Sequence, residues 1–294
     1  MPSTDHASDG PATAPVLPVA LSVIIAARNE QALIGRCLAG LVAQTEVAAG
    51  PVEVIVAVNG TTDRTAAEAR GFAAAFAARG WHLSVIDLPE GGKLGALNAA
   101  EAVAQGRALA YLDADVVCDT DLLARIDTAL APDRPLYATG RIAVMPAASA
   151  ITRAYARLWT RLPFVRGGAV GAGFFAVNRK GRARWDAWPA IISDDTFVRL
   201  QFTPHERIEV DARYHWPMVE GFGNLVRVRR RQDAGVAEIR RLYPAILGNE
   251  AKRPLTRAGL LRLALSDPPG FAVYGAVHLG VRFAPHKGDW TRGR

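Results

Sequence analysis

Apolar residues in the first part of the chain gather in short, predominantly apolar runs, each ending in polar residues. Leu21 to Ala27, Val52 to Val58, Leu83 to Leu88 and Ala108 to Leu112 are such runs. Their length and β-branched content predict strands buried on both faces. Between the runs the period changes. Gln31 to Gln44 carries Leu33, Ile34, Cys37, Leu38, Leu41 and Val42 at helical spacing. Arg64 to Arg79 is alanine-rich, and Leu94 to Gln105 follows a Gly-Gly-Lys; both predict helices. Strands alternating with helices through short loops predict an α/β fold, with a mostly parallel central sheet flanked by helices.

The pattern loosens after Asp115. Leu136 to Val144 and Phe174 to Val177 predict strands, and Ile208 to Val210 a short one. Ala147 to Arg161 predicts a helix with Ile151, Tyr155, Leu158 and Trp159 on one face, and Asp195 to Phe202 a second helix. Arg227, Arg229, Arg230 and Arg231 lie in a basic segment, Val226 to Arg241, that reads as a solvated face. From Leu255 the chain is apolar, interrupted by Asp267-Pro268-Pro269-Gly270. These shifts divide the chain into a disordered tail over 1–18, one α/β domain over 19–245 with halves meeting at 118/119, and a helical segment over 246–294.

Composition adds three constraints. Half of the 294 residues are hydrophobic, enough for a sizeable core. The two cysteines, Cys37 and Cys118, form neither a disulfide framework nor a metal-ligand spacing, as expected in a reducing compartment. Gly221 to Arg294 holds fourteen Lys and Arg against five Asp and Glu, a net +9 in a chain of +7, so the remainder is about −2. The basic C-terminal quarter points to an anionic partner such as a membrane surface. Aromatic residues are not interleaved with the basic ones as nucleic-acid stacking requires, which argues against nucleic acid. Met1 to Ala14 lacks a basic leader region, and no stretch reaches the uncharged length of a clear transmembrane helix.

The candidate chemistry lies at strand ends. Asp113 and Asp115 follow an apolar run one residue apart, so both carboxylates can face the same side where open α/β sheets bind ligands. Such a pair suits magnesium or manganese, with substrate phosphates completing the shell. The alternative is a solvated turn. Glu30, Asn59 and Asp63 sit at or just after strand ends on the same edge, as ligands for a nucleoside or as plain turn residues. Gly91-Gly92-Lys93 opens a helix, where backbone N–H groups and a lysine can meet an anion. Gly171-Ala172-Gly173 is a loop that lets substrate approach the backbone or simply connects two elements. Asp194-Asp195 is a second acidic pair, either helix capping or a general base with its neighbour. His215 is a candidate further metal or phosphate ligand, or a packed histidine.

Taken in order, these segments resemble the family 2 glycosyltransferases, inverting enzymes of the GT-A fold, from about Leu21 to Gly235. Ser22 to Glu30 is similar to the family's first strand and Asn-Glu turn, with Ala26 where Pro is usual. Asn59-Gly60-Thr61-Thr62-Asp63 resembles its nucleotide-binding Asp-Gly-Ser-Thr-Asp segment, with Asn59 in place of the first acid. Gly92-Lys93-Leu94-Gly95-Ala96-Leu97-Asn98 resembles the motif beside the donor diphosphate, Asp113-Ala114-Asp115 the metal motif, and Asp194-Asp195 the Glu-Asp pair whose second member is the base. Arg231-Gln232-Asp233-Ala234-Gly235 departs from the Gln-x-x-Arg-Trp of processive synthases.

The resemblance implies a nucleotide-sugar donor, expected to be a UDP-sugar, held over 19–118 by Ala27, Arg28, Glu30, Asn59, Asp63, Gly92, Lys93, Asn98, Asp113 and Ala114. It implies Mn2+ or Mg2+ on Asp115 and Asp113, Asp195 as base assisted by Asp194, and an acceptor over 119–245 near Gly171, Ala172 and Gly173. With the basic C-terminal quarter, it implies a lipid or lipid-linked acceptor and a peripheral site on the cytoplasmic face of a membrane. Two readings stand beside it. A nucleotidyltransferase would carry a glycine-rich basic loop where Arg28-Asn29-Glu30 stands, and a non-catalytic sugar-nucleotide or lipid-binding protein would not need Asp113, Asp115 and Asp195 together.

Overall fold

The structure is a computed structural model that describes residues 18–252 and 254–283. Residues 1–17 of the predicted N-terminal tail over 1–18, and the last stretch, 284–294, lie outside the described residues.

The N-terminal half follows the apolar runs closely. Strands β1 (Leu21–Ala27), β2 (Val52–Asn59), β3 (His82–Leu88) and β4 (Ala108–Leu112) alternate with helices α1 (Ile34–Val42), α2 (Thr65–Arg70), α3 (Ala73–Ala77) and α4 (Lys93–Glu101). The alanine-rich stretch forms two short helices, with Gly71 at the C-cap of α2. These four strands are parallel, in the order β3-β2-β1-β4. All eight residues of β2 are buried, Glu53 and Asn59 included, as its mostly apolar sequence requires when helices cover both faces.

Beyond Asp115 the chain builds β5 (Val117–Cys118), α5 (Leu122–Leu130), β6 (Tyr137–Val144), α6 (Ala150–Trp159), β7 (Phe174–Asn178), α7 (Arg179–Arg182), α8 (Asp194–Leu200) and β8 (Arg207–Trp216). β7 runs antiparallel to β4 and β6, β8 is parallel to β6, and β5 closes the far edge antiparallel to β8. The sheet is therefore parallel over four strands and mixed beyond them, eight strands in all: β3-β2-β1-β4-β7-β6-β8-β5. β8 is much longer than the predicted Ile208 to Val210. Its continuation alternates, with Ala212 and Tyr214 buried and Asp211 and Arg213 exposed.

One core packs α1 and α5 on one face of the sheet through Leu38, Leu41, Leu122 and Ile126. A second packs α4 and α8 on the other face through Leu97, Tyr111, Phe175 and Phe197. A third lies under α9 (Phe222–Leu242), α10 (Arg257–Ser266) and α11 (Pro268–Phe283). There Tyr274 of α11 stacks on Tyr155 of α6 at 5.4 Å between ring centroids, and Val277 is buried. The C-terminal segment is thus packed on the domain through one face of α11.

Candidate active site

The carboxyl ends of β1, β2 and β4 open onto one edge of the sheet. β4 runs directly into Asp113-Ala114-Asp115, and the Asp113 N–H donates to the Gly173 carbonyl at 2.9 Å. That bond ties the end of β4 to the glycine loop before β7. Gly171 and Gly173 both have positive φ, +70° and +83°. A Cβ at Gly171 would overlap the Tyr137 hydroxyl, and one at Gly173 would come within 2.8 Å of the Trp216 ring. Glycine is needed here for backbone shape and for close approach.

Lys93 begins α4 after Gly92, and its Nζ lies 2.9 Å from Asp113 Oδ1 and 2.8 Å from Asp194 Oδ2. Burial would lower its pKa, but these two carboxylates outweigh that and raise it well above the usual lysine value. The ammonium stays charged and links the end of β4 to the start of α8. Asp195 follows, its Oδ1 accepting the Thr196 N–H at 2.6 Å. Burial raises the Asp195 carboxyl, and the neighbouring Asp194 charge adds to it. The Thr196 N–H and Lys93 offset only part.

Two cavities meet at Asp195. The first, about 600 Å³, is lined by Glu30, Asn59, Lys93, Asp113, Ala114, Asp115, Ala172, Gly173, Asp194 and Asp195 among the sequence-predicted residues. Its charged lining is six carboxylates, the sixth being Glu220, against Lys93 and Arg231. The second, about 740 Å³, lies beyond the glycine loop and shares Ala172, Ser193, Asp195 and Gln232 with the first.

Other predicted residues build the site through hydrogen bonds and close packing. Asn59 cross-ties three segments: its Nδ2 donates to Ala27 O at 3.1 Å, and its Oδ1 accepts the Gly92 N–H at 3.0 Å. Asp63 accepts from Thr65 N–H at 2.9 Å and Gln31 N–H at 3.1 Å, fixing the turn after β1 against α2. Burial alone would raise the Asp63 carboxyl, but these hydrogen bonds hold it below its usual value. Asn98 accepts the Trp188 N–H at 2.9 Å. Arg28 lies against Gly91, where a Cβ would meet its Nη1 at 2.7 Å. Ala27, Arg28, Asp63, Gly92, Asn98 and Gly171 stand outside both linings; Asn59 itself lines the first. His215 Nε2 pairs with Asp119 Oδ1 at 2.7 Å, also away from both cavities.

Residues from later in the chain close the first cavity: Trp216 at the end of β8, Met218 and Glu220 after it, and Asn224, Arg231 and Gln232 of α9. Only Arg231-Gln232 carried a sequence signal, as the degenerate remnant of a motif.

The donor set fits a divalent ion. Asp113 and Asp115 line one cavity with oxygen ligands only, a chemistry that suits manganese or magnesium. Among the described residues no group of three or more His, Cys, Asp or Glu is arranged to hold a metal. The remaining positions would fall to substrate and water. An anionic diphosphate in so acidic a cavity also needs a cation beyond Lys93 and Arg231.

The fold and this strand-end site define a GT-A glycosyltransferase. The chain belongs to the family described as glycosyl transferase family 2, whose sequence profile matches residues 22–189. Among solved structures it is similar to the mannosyltransferase PcManGT from Pyrobaculum calidifontis in complex with GDP-Man and Mn2+, at 19% identity and a TM-score of 0.57, over 92% of this chain and 79% of that one. It is also similar to S. aureus TarS 1-349 in complex with UDP-GlcNAc, at 12% identity and a TM-score of 0.52, over 90% and 92% of the two chains. The same TarS fragment with UDP gives 11% identity and a TM-score of 0.50, over 94% and 95%. At these identities the likeness is one of fold. No curated protein matches the chain.

Proposed function

We propose that this protein is an inverting, non-processive glycosyltransferase that moves a sugar from a nucleotide sugar to a hydroxyl of a lipid or lipid-linked acceptor. A UDP-sugar is the first donor to test. The observation that carries this reading is Asp195, a half-buried carboxylate standing where an acidic cavity with the Asp113–Asp115 pair meets a second cavity. A manganese or magnesium ion on Asp115 and Asp113 would supply the charge that stabilises a departing diphosphate.

Lys93 adds charge beside that diphosphate, and Asn59 holds the Gly92 turn that presents it. Asp195 accepts the proton of the acceptor hydroxyl. The acceptor oxygen bonds to the anomeric carbon as the bond from that carbon to the donor phosphate oxygen breaks. The electron pair leaves with the nucleoside diphosphate. A single displacement inverts the anomeric configuration. Ser193 and Asp194 position the base at the start of α8.

Exposed apolar and basic residues of the C-terminal helices support a lipid acceptor. Leu261, Leu265, Leu279 and Phe283 are 60%, 74%, 53% and 79% exposed, beside exposed Arg257, Arg262 and Arg282. Apolar side chains rimmed by arginines suit the interface of an anionic bilayer. Among the described residues no helix is long and apolar enough to cross a membrane.

Hydrolysis and transfer should be measured across UDP- and GDP-sugars, with and without manganese, for the wild-type protein and for Asp115→Asn. Turnover that needs the ion and is largely lost in Asp115→Asn supports the reading. Full activity of that variant, or activity undiminished by excess chelator, rejects the metal's role.

A further inference from the structure

The second cavity has the opposite electrostatic character from the first. Arg166, Arg199, Arg207, Arg229, Arg240 and Lys252 line it, against Asp195, Glu209 and Asp233. Several of the cations are matched. Arg229 pairs with Asp233 at 3.0 Å, while Glu250 takes Arg199 at 2.8 Å and Lys252 at 3.2 Å. Glu209 is engaged by the N–H groups of Gly167 and Ala169 in the loop that roofs the cavity.

Arg207 and Arg166 are oriented by backbone carbonyls. Arg207 donates from Nε and Nη2 to the Phe202 carbonyl at 3.0 and 2.9 Å and from Nη2 to the Asn249 carbonyl. Arg166 donates from Nε to the Thr160 carbonyl at 3.3 Å. A carbonyl fixes the direction of a guanidinium but removes none of its charge. Burial, and then the Arg199 charge beside it, pull the Arg207 pKa down to about 10, which Glu250 and Glu206 offset only in part, so the group remains protonated. A half-buried, oriented arginine beside a second one is an arrangement that a doubly charged oxyanion suits through paired hydrogen bonds.

The remaining wall is apolar: Trp159, Pro163, Phe164 and Val236. Trp159 and Phe164 belong to the same core cluster as the C-terminal helices. The cavity therefore offers a cationic side and an apolar side, and Asp195 stands at its junction with the donor side.

We infer that the basic cavity binds a phosphate carried by the acceptor, so that the substrate receiving the sugar is a phosphate-bearing amphiphile rather than a neutral glycan. The word acceptor rests on the transferase reading above; the phosphate site rests on the cavity alone. The phosphate can come from a lipid or from a soluble sugar phosphate, and the apolar wall favours the lipid.

The test is isothermal titration calorimetry of the full chain with four probes: farnesyl phosphate, farnesol, glucose 1-phosphate and inorganic phosphate. Farnesyl phosphate should bind at least about tenfold more tightly than farnesol, the fold-change expected when a charge-assisted hydrogen bond is lost. Arg166 and Arg240 are exposed, so the double variant R166Q/R240Q leaves no buried charge stranded. It should weaken farnesyl phosphate binding by about tenfold or more. Saturating UDP with Mn2+ should leave farnesyl phosphate bound to the wild-type chain.

Glucose 1-phosphate binding as tightly as farnesyl phosphate would overturn the lipid assignment. Equal affinity for farnesol and farnesyl phosphate, unchanged affinity in R166Q/R240Q, or displacement by UDP would overturn the site. Donor hydrolysis by the wild-type protein separates the two readings. Phosphate binding without hydrolysis under any donor keeps the site and rejects the transferase, whereas hydrolysis without phosphate binding does the reverse.

Discussion

Asp195 combines two properties that pull against each other. A general base must be ionised, yet burial and the Asp194 charge raise its pKa. Activity should therefore rise with pH through a limb above the ordinary carboxylate range. Replacing Asp194 by Asn removes a like charge, lowers the Asp195 pKa and moves that limb to lower pH. A pH–rate profile of kcat/KM for wild type and Asp194→Asn checks the sign, and an unmoved limb would assign the titration to another group. Asp195→Asn should reduce turnover at least ~100-fold, the low end for removing a positioned base, with nucleotide affinity kept. If Asp194→Asn were crippled and Asp195→Asn nearly normal, the roles within the pair would be reversed. A product with retained configuration would reject single displacement.

At the scale of elements, the turn before β8 anchors one wall of the second cavity. Glu206 ends a 3₁₀ turn, Pro204–Glu206, and meets Arg184 through two bonds of 2.9 and 2.5 Å. It also accepts the Thr203 N–H at 2.8 Å. The Arg184 guanidinium is the largest cause holding the Glu206 carboxyl down, at about 2 against a usual 4.5. A depressed carboxylate stabilises the fold above its unfolded pKa, and that stability is lost as pH falls toward the folded value. Glu206→Gln should cost on the order of 2–3 kcal/mol near neutral pH, at about 1.4 kcal/mol per pKa unit. Urea unfolding should show the gap shrinking as pH falls from ~5 toward ~2; a gap independent of pH would trace the loss to packing.

The same elements explain what could be read from sequence. β1, β2 and β4 were legible because strands covered on both faces carry predominantly apolar runs. β8 was read short because Asp211 and Arg213 interrupt the run on its exposed face, leaving only alternation as a signal. Two-residue β5 has too little sequence to carry any signal. The acidic pairs and Lys93 were legible as short motifs, and the fold brings them to one cavity. What Asn59 and Asp63 hold was not legible, because their partners are backbone groups of distant segments. The basic cavity was hidden for a related reason: Arg166, Arg207 and Arg240 are far apart in sequence and meet only when α9 crosses the loop after α6.

For the whole molecule, the packing of α11 changes how membrane attachment is tested. Cutting the chain near Gly248 would strip Tyr274 and Val277 from the core under α6, so loss of binding would not be specific. Leu261→Ser/Leu265→Ser alters only exposed positions. The full-length protein should float with anionic liposomes at low salt and less so at high salt, since basic residues contribute roughly 1 kcal/mol each near the surface. The double variant should float weakly. Wild-type protein that stays unbound to every lipid composition would remove the membrane from the proposal.

The eight strands form one continuous hydrogen-bonded sheet, and β4 and β7 join its two halves without a break. Such a seam does not hinge. Asp195 and Arg199 on α8 and Arg207 on β8 stand on this frame, so under the proposed acceptor site the cation-rich recess and the Asp195 carboxylate would keep a fixed separation, and the protein would work as a gauge. An acceptor would be chosen by the number of bonds between its charge and its reactive oxygen. A series of substrates differing only in that spacing should show one sharp optimum, with both shorter and longer members poor.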